Sequence, residues 1–264
     1  MNRSVVILGC GSSGGVPRVG GEWGACKPDN PKNRRRRCSI LVEQAGVEAA
    51  TTVLVDLSPD LRDQLLGTGT TRLDGVLVTH SHADHTHGID DVRPLVIKMR
   101  RRVDVYLDDV TEEALRARFG YIFETPPGSQ YPPLMNVRRL EHGVEAVVDG
   151  PGGPVAATPF RLNHGDMDAL GFRIGGMAYT PDVVAVPDQS VPYLEDLDLW
   201  IIDALRYTRH PSHFSLEEAL GWIERMKPRR AVLTNLHTDL DYDALSAELP
   251  KGVLAAYDGM RLAF

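Results

Sequence analysis

Cysteine is scarce in this 264-residue chain: there are three, Cys10, Cys26 and Cys38. An odd number without a CxxC spacing excludes a disulfide framework and a self-contained cysteine zinc site, so reduced thiols are expected. Long apolar runs are missing too. The N-terminal run Val5 to Leu8 stops at glycine, too short for a signal-peptide core, and no later run approaches the ~20 residues of a membrane span. A cytoplasmic location and no membrane partner are therefore expected. Positive charge is also in deficit, with 29 Lys and Arg against 36 Asp and Glu and a formal net charge of -7. No global field draws such a chain onto nucleic acid, so no stable nucleic-acid partner is expected and any phosphate recognition must be local. A homodimer is left open, because no interface stripe stands out.

Apolar residues make up 42% of the chain, enough for a sizeable core. Short β-branched runs recur at Ser4 to Leu8, Ser39 to Glu43, Thr52 to Asp56, Gly75 to Thr79, Asp104 to Leu107, Val144 to Val148, Ala156 to Leu162, Gly171 to Tyr179, Leu199 to Asp203, Ala231 to Asn235 and Gly252 to Tyr257. The clearest helix runs from Ser215 to Met226, opened by a Ser215/Glu218 capping box and stopped by Pro228. Further helices are read at Pro59 to Leu66, Thr111 to Phe119 and Tyr242 to Leu249. This interspersion suggests an α/β protein of layered sheets covered by helices, in one domain over residues 1–264. The proline and glycine clusters Thr125 to Pro133 and Asp149 to Pro154 read as loops, the first a candidate lid over the site.

The run DGVLVT ends directly in His80 and begins H-S-H-A-D-H, so that four potential metal ligands, His80, His82, Asp84 and His85, lie within six residues. Nine histidines in the chain should scatter, yet four (these three and His87) fall within eight positions. Imidazole nitrogen and carboxylate oxygen suit borderline divalent ions, and a tight turn after a strand aims alternate side chains at two points. A polar loop that happens to be His-rich is the plainer alternative.

This segment resembles the signature H-x-H-x-D-H of the metallo-β-lactamase superfamily, and the likeness continues to His164 in RLNHGD, Asp182 in AYTPDV and His237 in LTNLH. The resemblance implies a four-layered αββα sandwich, two mixed β-sheets flanked by helices, and two divalent metal ions, zinc or manganese. By that resemblance His80, His82 and His164 hold one ion, Asp84, His85 and His237 the other, and Asp182 bridges them. Asp56 matches a supporting position behind the ligands, although it equally reads as a helix-capping aspartate. His87 and His142 fit no ligand role and are read as structural.

LGCGSSGG contains a literal G-x-G-x-x-G, but Val16-Pro17 and Gly20-Gly21 break the helix a dinucleotide site requires. Its loop remains a plausible active-site wall, with Ser13 a substrate contact through phosphate-binding amides. The basic run Arg34 to Arg37 supplies Arg36 as a second candidate substrate contact, against the reading of a solvated face; Lys98 with Arg100 to Arg102 is a second such run. His213 in RHPSHFS precedes the capped helix, where an HPxH histidine of the phosphodiesterase branch suggests a general acid; the alternative is an imidazole decorating a helix N-terminus.

GCGSSGGVPR, RRRRCSIL and RHPSHFS look most like the PhnP-like group of cyclic-phosphate phosphodiesterases. That group's extra cysteine-rich zinc site has only Cys26 left here, so no such zinc is expected. The implied function is hydrolysis of a small phosphodiester, a (cyclic) ribosyl phosphate or nucleotide, with Asp84 and His213 catalytic. Two ions would lower the pKa of a shared water from ~15.7 towards ~7. A transfer-RNA 3′-end nuclease, a thiolester or β-lactam hydrolase, and a metal-dependent nucleotide-binding module without turnover are the alternatives.

Overall fold

In the computed structural model, which describes residues 3–264, the chain builds two seven-stranded mixed sheets packed face to face with helices on both outer surfaces. Its first half supplies β1 (Arg3–Gly9), β2 (Ser39–Gln44), β3 (Thr51–Val55), β4 (Gly75–Leu77), β5 (Val103–Leu107) and β6 (Met135–Arg139). The second half supplies β7 (Ala146–Val148), β8 (Val155–His164), β9 (Met167–Ile174), β10 (Met177–Thr180), β11 (Leu199–Asp203), β12 (Ala231–Thr234) and β13 (Val253–Ala255). A last strand, β14 (Arg261–Ala263), returns to the first sheet. The strand orders are β14-β1-β2-β3-β4-β5-β6 and β13-β12-β11-β10-β9-β8-β7. In each sheet three pairs are antiparallel and three parallel.

Most of the central strands are apolar on both faces, as a layer covered on both sides demands. Val5, Ile7, Val53 and Val55 of the first sheet meet Phe172, Tyr179, Ile201 and Val232 of the second in an inter-sheet core. The opposite faces, with Val6, Leu8 and Leu54, pack under α1 (Leu61–Thr68), α3 (Arg93–Met99) and α4 (Asp109–Phe123). Ala178, Trp200 and Ile202 pack under α5 (Leu216–Met226) and α6 (Tyr242–Glu248). The four expected helices and the Ser215/Glu218 capping box are present. No helix of the described residues is long and apolar enough to cross a membrane.

Three expectations need correction. The run Gly171 to Tyr179 is not one strand: Gly175, at φ 58°, turns the chain so that β9 and β10 pair with each other. Strand β6 and helix α3 fell outside the expected elements altogether. Finally, Thr125 to Pro133 is not a lid. It leads into β6, which runs parallel to β5 and β4, so it lies at the amino ends of these strands, beside Arg100 to Arg102. The metal-ligand loop leaves the carboxyl end of β4, and the two are at opposite poles.

That carboxyl edge is shared. β1, β3 and β4 run the same way, as do β8, β10, β11 and β12, and their ends deliver Gly11, Asp56, His80, His164, Asp182, Asp203 and Asn235 to one crevice between the sheets. Gly11 bridges to both Arg37 and Leu236, tying the two sheets together there. Phe172 is fully buried between the sheets, so Phe172→Ala should cost about 3–5 kcal/mol through lost burial and a residual cavity, measured as a lower urea midpoint at unchanged slope.

Candidate metal centre

After β4 the chain stays extended through His82 (φ -60°, ψ 153°) and then winds into the short helix α2 (Ala83–Thr86), whose first turn carries Asp84 and His85. The loop is fastened from behind, Leu57 N–H donating to the His85 carbonyl (2.7 Å) and Gly88 N–H to the Leu57 carbonyl (2.9 Å). Gly88 must be glycine, since a Cβ there would lie 2.0 Å from the Ser58 carbonyl oxygen.

His80, His82, His164 and Asp182 present one ligand atom each within 4.8 Å of one another. His82 Nδ1 lies 3.0 Å from His80 Nε2 and 3.2 Å from His164 Nε2. The outer ring nitrogens are committed elsewhere. His80 Nδ1 bonds the Thr79 hydroxyl (2.9 Å), and His164 Nδ1 donates to the Ser212 carbonyl (2.7 Å). His85 Nδ1 donates to Asp56 Oδ2 (2.7 Å). Such partners fix the tautomer so that Nε2 offers a lone pair inward, the arrangement found behind metal-ligating histidines. A single proton on His82 Nδ1 cannot serve both neighbouring nitrogens, and the buried His85 Nε2 lies between the Asp84 and Asp182 carboxylates. The residues therefore fit a divalent metal site.

Asp182 stands at the middle, 2% exposed. Its Oδ2 faces His80 Nε2 (3.8 Å) and His164 Nε2 (3.5 Å), while its Oδ1 faces His85 Nε2 (3.3 Å). Asp84 Oδ2 approaches the same His85 nitrogen at 3.4 Å. Burial alone would raise the Asp182 pKa, but His85, His213 and His80 hold it well below the usual carboxylate range. Burial likewise disfavours charge on His85, yet Asp182, Asp56 and Asp84 push its pKa well above the ordinary value. On His80, burial and the neighbouring His85 lower it well below. These carboxylates call for positive charge in their midst.

Of the two readings of Asp56, the supporting one holds. It is fully buried at φ 67°, accepts from Thr79 N–H (2.8 Å) as well as from His85, and leaves the N-cap of α1 to Asp60. Asn235, also left-handed (φ 62°), donates to the Pro181 carbonyl (3.1 Å) at the turn that aims Asp182. Non-glycine residues held in this region mark places where surrounding structure imposes the conformation.

His213 lies beside these ligands. Its Nδ1 bonds Asp203 Oδ2 (2.8 Å) and its Nε2 is 4.0 Å from Asp182 Oδ2. Burial opposes its charged form, but Asp203 outweighs it and the pKa is pushed up to about 9. A cavity of about 270 Å³ opens over the group, lined by Ser12, Ser13, Arg18, Asp84, Arg206 and His210 together with His82, His164, Asp182, His213 and His237.

Two expected site residues behave differently. His237 reaches the cavity wall, but its Nε2 meets the Arg18 guanidinium and its Nδ1 lies 3.0 Å from Asp239 Oδ1, so it stands outside the four-residue group. Arg36 does not line the cavity: its Nε pairs with Asp258 Oδ2 at 3.0 Å. Its neighbours Arg35 and Arg37 are likewise committed to partners within the chain, while Arg34 is exposed. Arg35, 2% exposed, donates to the His237 and Leu240 carbonyls (3.1 and 2.6 Å), Arg37 pairs with Asp60, and Arg34 lies over Trp23. His87 stacks edge-on against Phe119, and His142 accepts from Arg161 N–H. Arg18, Asp203, Arg206, His210 and Asn235 were missed. Asp203 ends the strand LWIID and Arg18 ends GCGSSGGVPR, so a carboxylate at a strand terminus and a cation in the glycine loop were the available signals.

The sequence model of the beta-lactamase superfamily domain matches residues 51–235. A crystal structure described as a new diphosphatase from the PhnP family superposes with a TM-score of 0.88 at 33% identity, covering 100% of this chain and 98% of that one. An octanoyltransferase of Porphyromonas gingivalis (strain ATCC BAA-308 / W83) is 33% identical over 260 residues, 97% of this chain and 50% of the relative. A ribonuclease Z of Bradyrhizobium sp. (strain ORS 278) is 36% identical over 174 residues, 61% of this chain and 53% of the relative. The chain thus spans about half the length of the curated relatives it matches. With the fold, these likenesses place the chain in the metallo-β-lactamase superfamily, and within that superfamily it belongs to the PhnP family. Asp56→Asn should weaken metal binding about 10–100-fold, as loss of an outer-shell carboxylate does, measured by competition with a chromogenic chelator.

Proposed function

We propose that the protein hydrolyses a phosphoester or phosphoanhydride bond in a small nucleotide-like substrate, using two divalent ions, zinc or manganese. The observation that carries this reading is His213, an imidazole whose Nδ1 is bonded to Asp203 and whose Nε2 is turned into the cavity beside the ligand group. An alkoxide leaving group needs a proton from such an imidazole, whereas thiolester hydrolysis, with its good thiolate leaving group, gives it little to do.

His80, His82 and His164 would hold one ion and Asp84, His85 and His237 the other, with Asp182 available to both. Bound there, such ions would supply counter-charge for the non-bridging phosphate oxygens and lower the pKa of water. The water releases one proton to the medium as its oxygen joins phosphorus, and the bond to the leaving oxygen breaks with its electron pair staying on that oxygen. His213 passes its Nε2 proton to the leaving oxygen and recovers one from the medium, while Asp203 fixes the ring. Asp84, in the first turn of α2, faces the same space and helps orient the attacking water.

The size of the cavity favours a small molecule, and the PhnP-family likeness points to phosphorus chemistry. A transfer-RNA substrate is disfavoured by the net charge of -7. His213→Ala should lower turnover of a diester with an alkyl leaving group by about 10²–10⁴-fold and that of a 4-nitrophenyl diester far less. Steady-state kinetics on the two substrates check this; equal losses would remove His213 as the acid.

A further inference from the structure

Four imidazoles around the metal centre have the ring nitrogen that faces away from it fastened: His80 by the Thr79 hydroxyl, His85 by Asp56, His164 by the Ser212 carbonyl and His213 by Asp203. His82 has no such partner. Its Nδ1 faces His80 and His164, its Nε2 makes no hydrogen bond among the described residues, and the residue is exposed. What is held instead is its main chain. The His82 carbonyl accepts from the Thr86 hydroxyl (2.8 Å), and the Ser81 carbonyl, one peptide unit earlier, accepts from Arg118 Nη1 (2.5 Å).

Arg118 comes from the inward stripe of α4. Thr111, Leu115 and Ile122 are buried on that stripe, and Arg118 stands between the last two at the same helical spacing. Helical side chains lean towards the N-terminus of their helix, which for α4 lies just past the carboxyl end of β5, on the edge that carries the ligand loop. Phe119, which departs from helical geometry (φ -133°, ψ 38°), sets its ring edge-on against His87 at 5.5 Å, so consecutive residues of α4 touch the ligand loop before and after α2. The other arginine of this helix, Arg116, pairs with Glu112 and Glu124, whereas the Arg118 guanidinium has no carboxylate partner among the described residues. A charged donor on a carbonyl makes a strong hydrogen bond, and the device recurs at His237, whose carbonyl accepts from the buried Arg35 (3.1 Å).

We infer that Arg118 is a positioning residue for His82: by fixing the peptide unit between Ser81 and His82 it aims an imidazole whose outer nitrogen nothing else holds. Charge alone predicts the opposite effect. A guanidinium beside a cation site repels the ion, so its removal would tighten binding if charge were all that it supplied, and loosen binding if it aims the ligand. This role rests on the metal site and not on the reaction assigned to it.

Competition for Zn²⁺ between the metal-free protein and a chromogenic chelator tests the role without turnover. Arg118→Ala should weaken the binding of one ion about 10–100-fold, the range seen when an outer support is lost. It should also leave the thermal midpoint of the metal-free protein unchanged and alter the visible spectrum of the Co²⁺-loaded protein. Arg118→Lys, which can still donate to the carbonyl, should recover part of the affinity and of the spectrum. In a His82→Ala background, where there is no imidazole to aim, Arg118→Ala should change the affinity by less than about twofold. Unchanged or tighter binding in Arg118→Ala, a loss of equal size in the His82→Ala background, or a lower midpoint of the metal-free protein would overturn the role. Wild-type protein that binds no Zn²⁺ would sink the metal site itself, and this role with it.

Discussion

The Asp182 carboxylate is the constraint on which the rest of the structure turns. A buried carboxylate is tolerable only when compensated, and the compensation is divided between its two oxygens, Oδ2 towards His80 and His164 and Oδ1 towards His85. Those imidazoles come from two different sheets, so the electrostatic demand of one side chain is met only when both sheets are in register at their carboxyl edges. The inter-sheet core, with Phe172 and Tyr179 against Val53 and Val55, sets that register.

Around this centre lies a ring of polar supports whose role is orientation. Asp56, Thr79, Ser212 and Asp203 each hold the outer nitrogen of one imidazole, leaving the inner nitrogen free. Two of the fold's left-handed non-glycine residues, Asp56 and Asn235, sit just past β3 and β12 within this ring. The other three, Arg100, Asp196 and Lys227, lie outside this ring, so these two are the ones that bear on how the ligands are aimed.

Much of this was legible in the sequence, unevenly and for physical reasons. H-S-H-A-D-H is local, so its density alone signals a metal site. His164 and Asp182 lie about 80 and 100 positions away from it, and only resemblance to a known pattern joins them to it. A run of arginines states charge but not direction: Arg35 turned inward to carbonyls and Arg36 to Asp258, while the arginines that line the cavity, Arg18 and Arg206, stand outside that run. A proline cluster likewise states a loop but not its pole, which parallel pairing of β4, β5 and β6 decides. Strand β6 escaped notice because MNVRR is a charged edge strand, the kind that discourages further pairing. The β9–β10 turn was hidden in the largely apolar run GFRIGGMAY, where Gly175-Gly176 was the turn signal.

Titration of metal-free protein with Zn²⁺, followed calorimetrically, tests most directly whether Asp182 stands between two ions. Two equivalents per chain are expected for the wild-type protein, with the second lost when Asp182 is replaced by asparagine. A single equivalent in the wild type, or two that persist in Asp182→Asn, would contradict the bridging role.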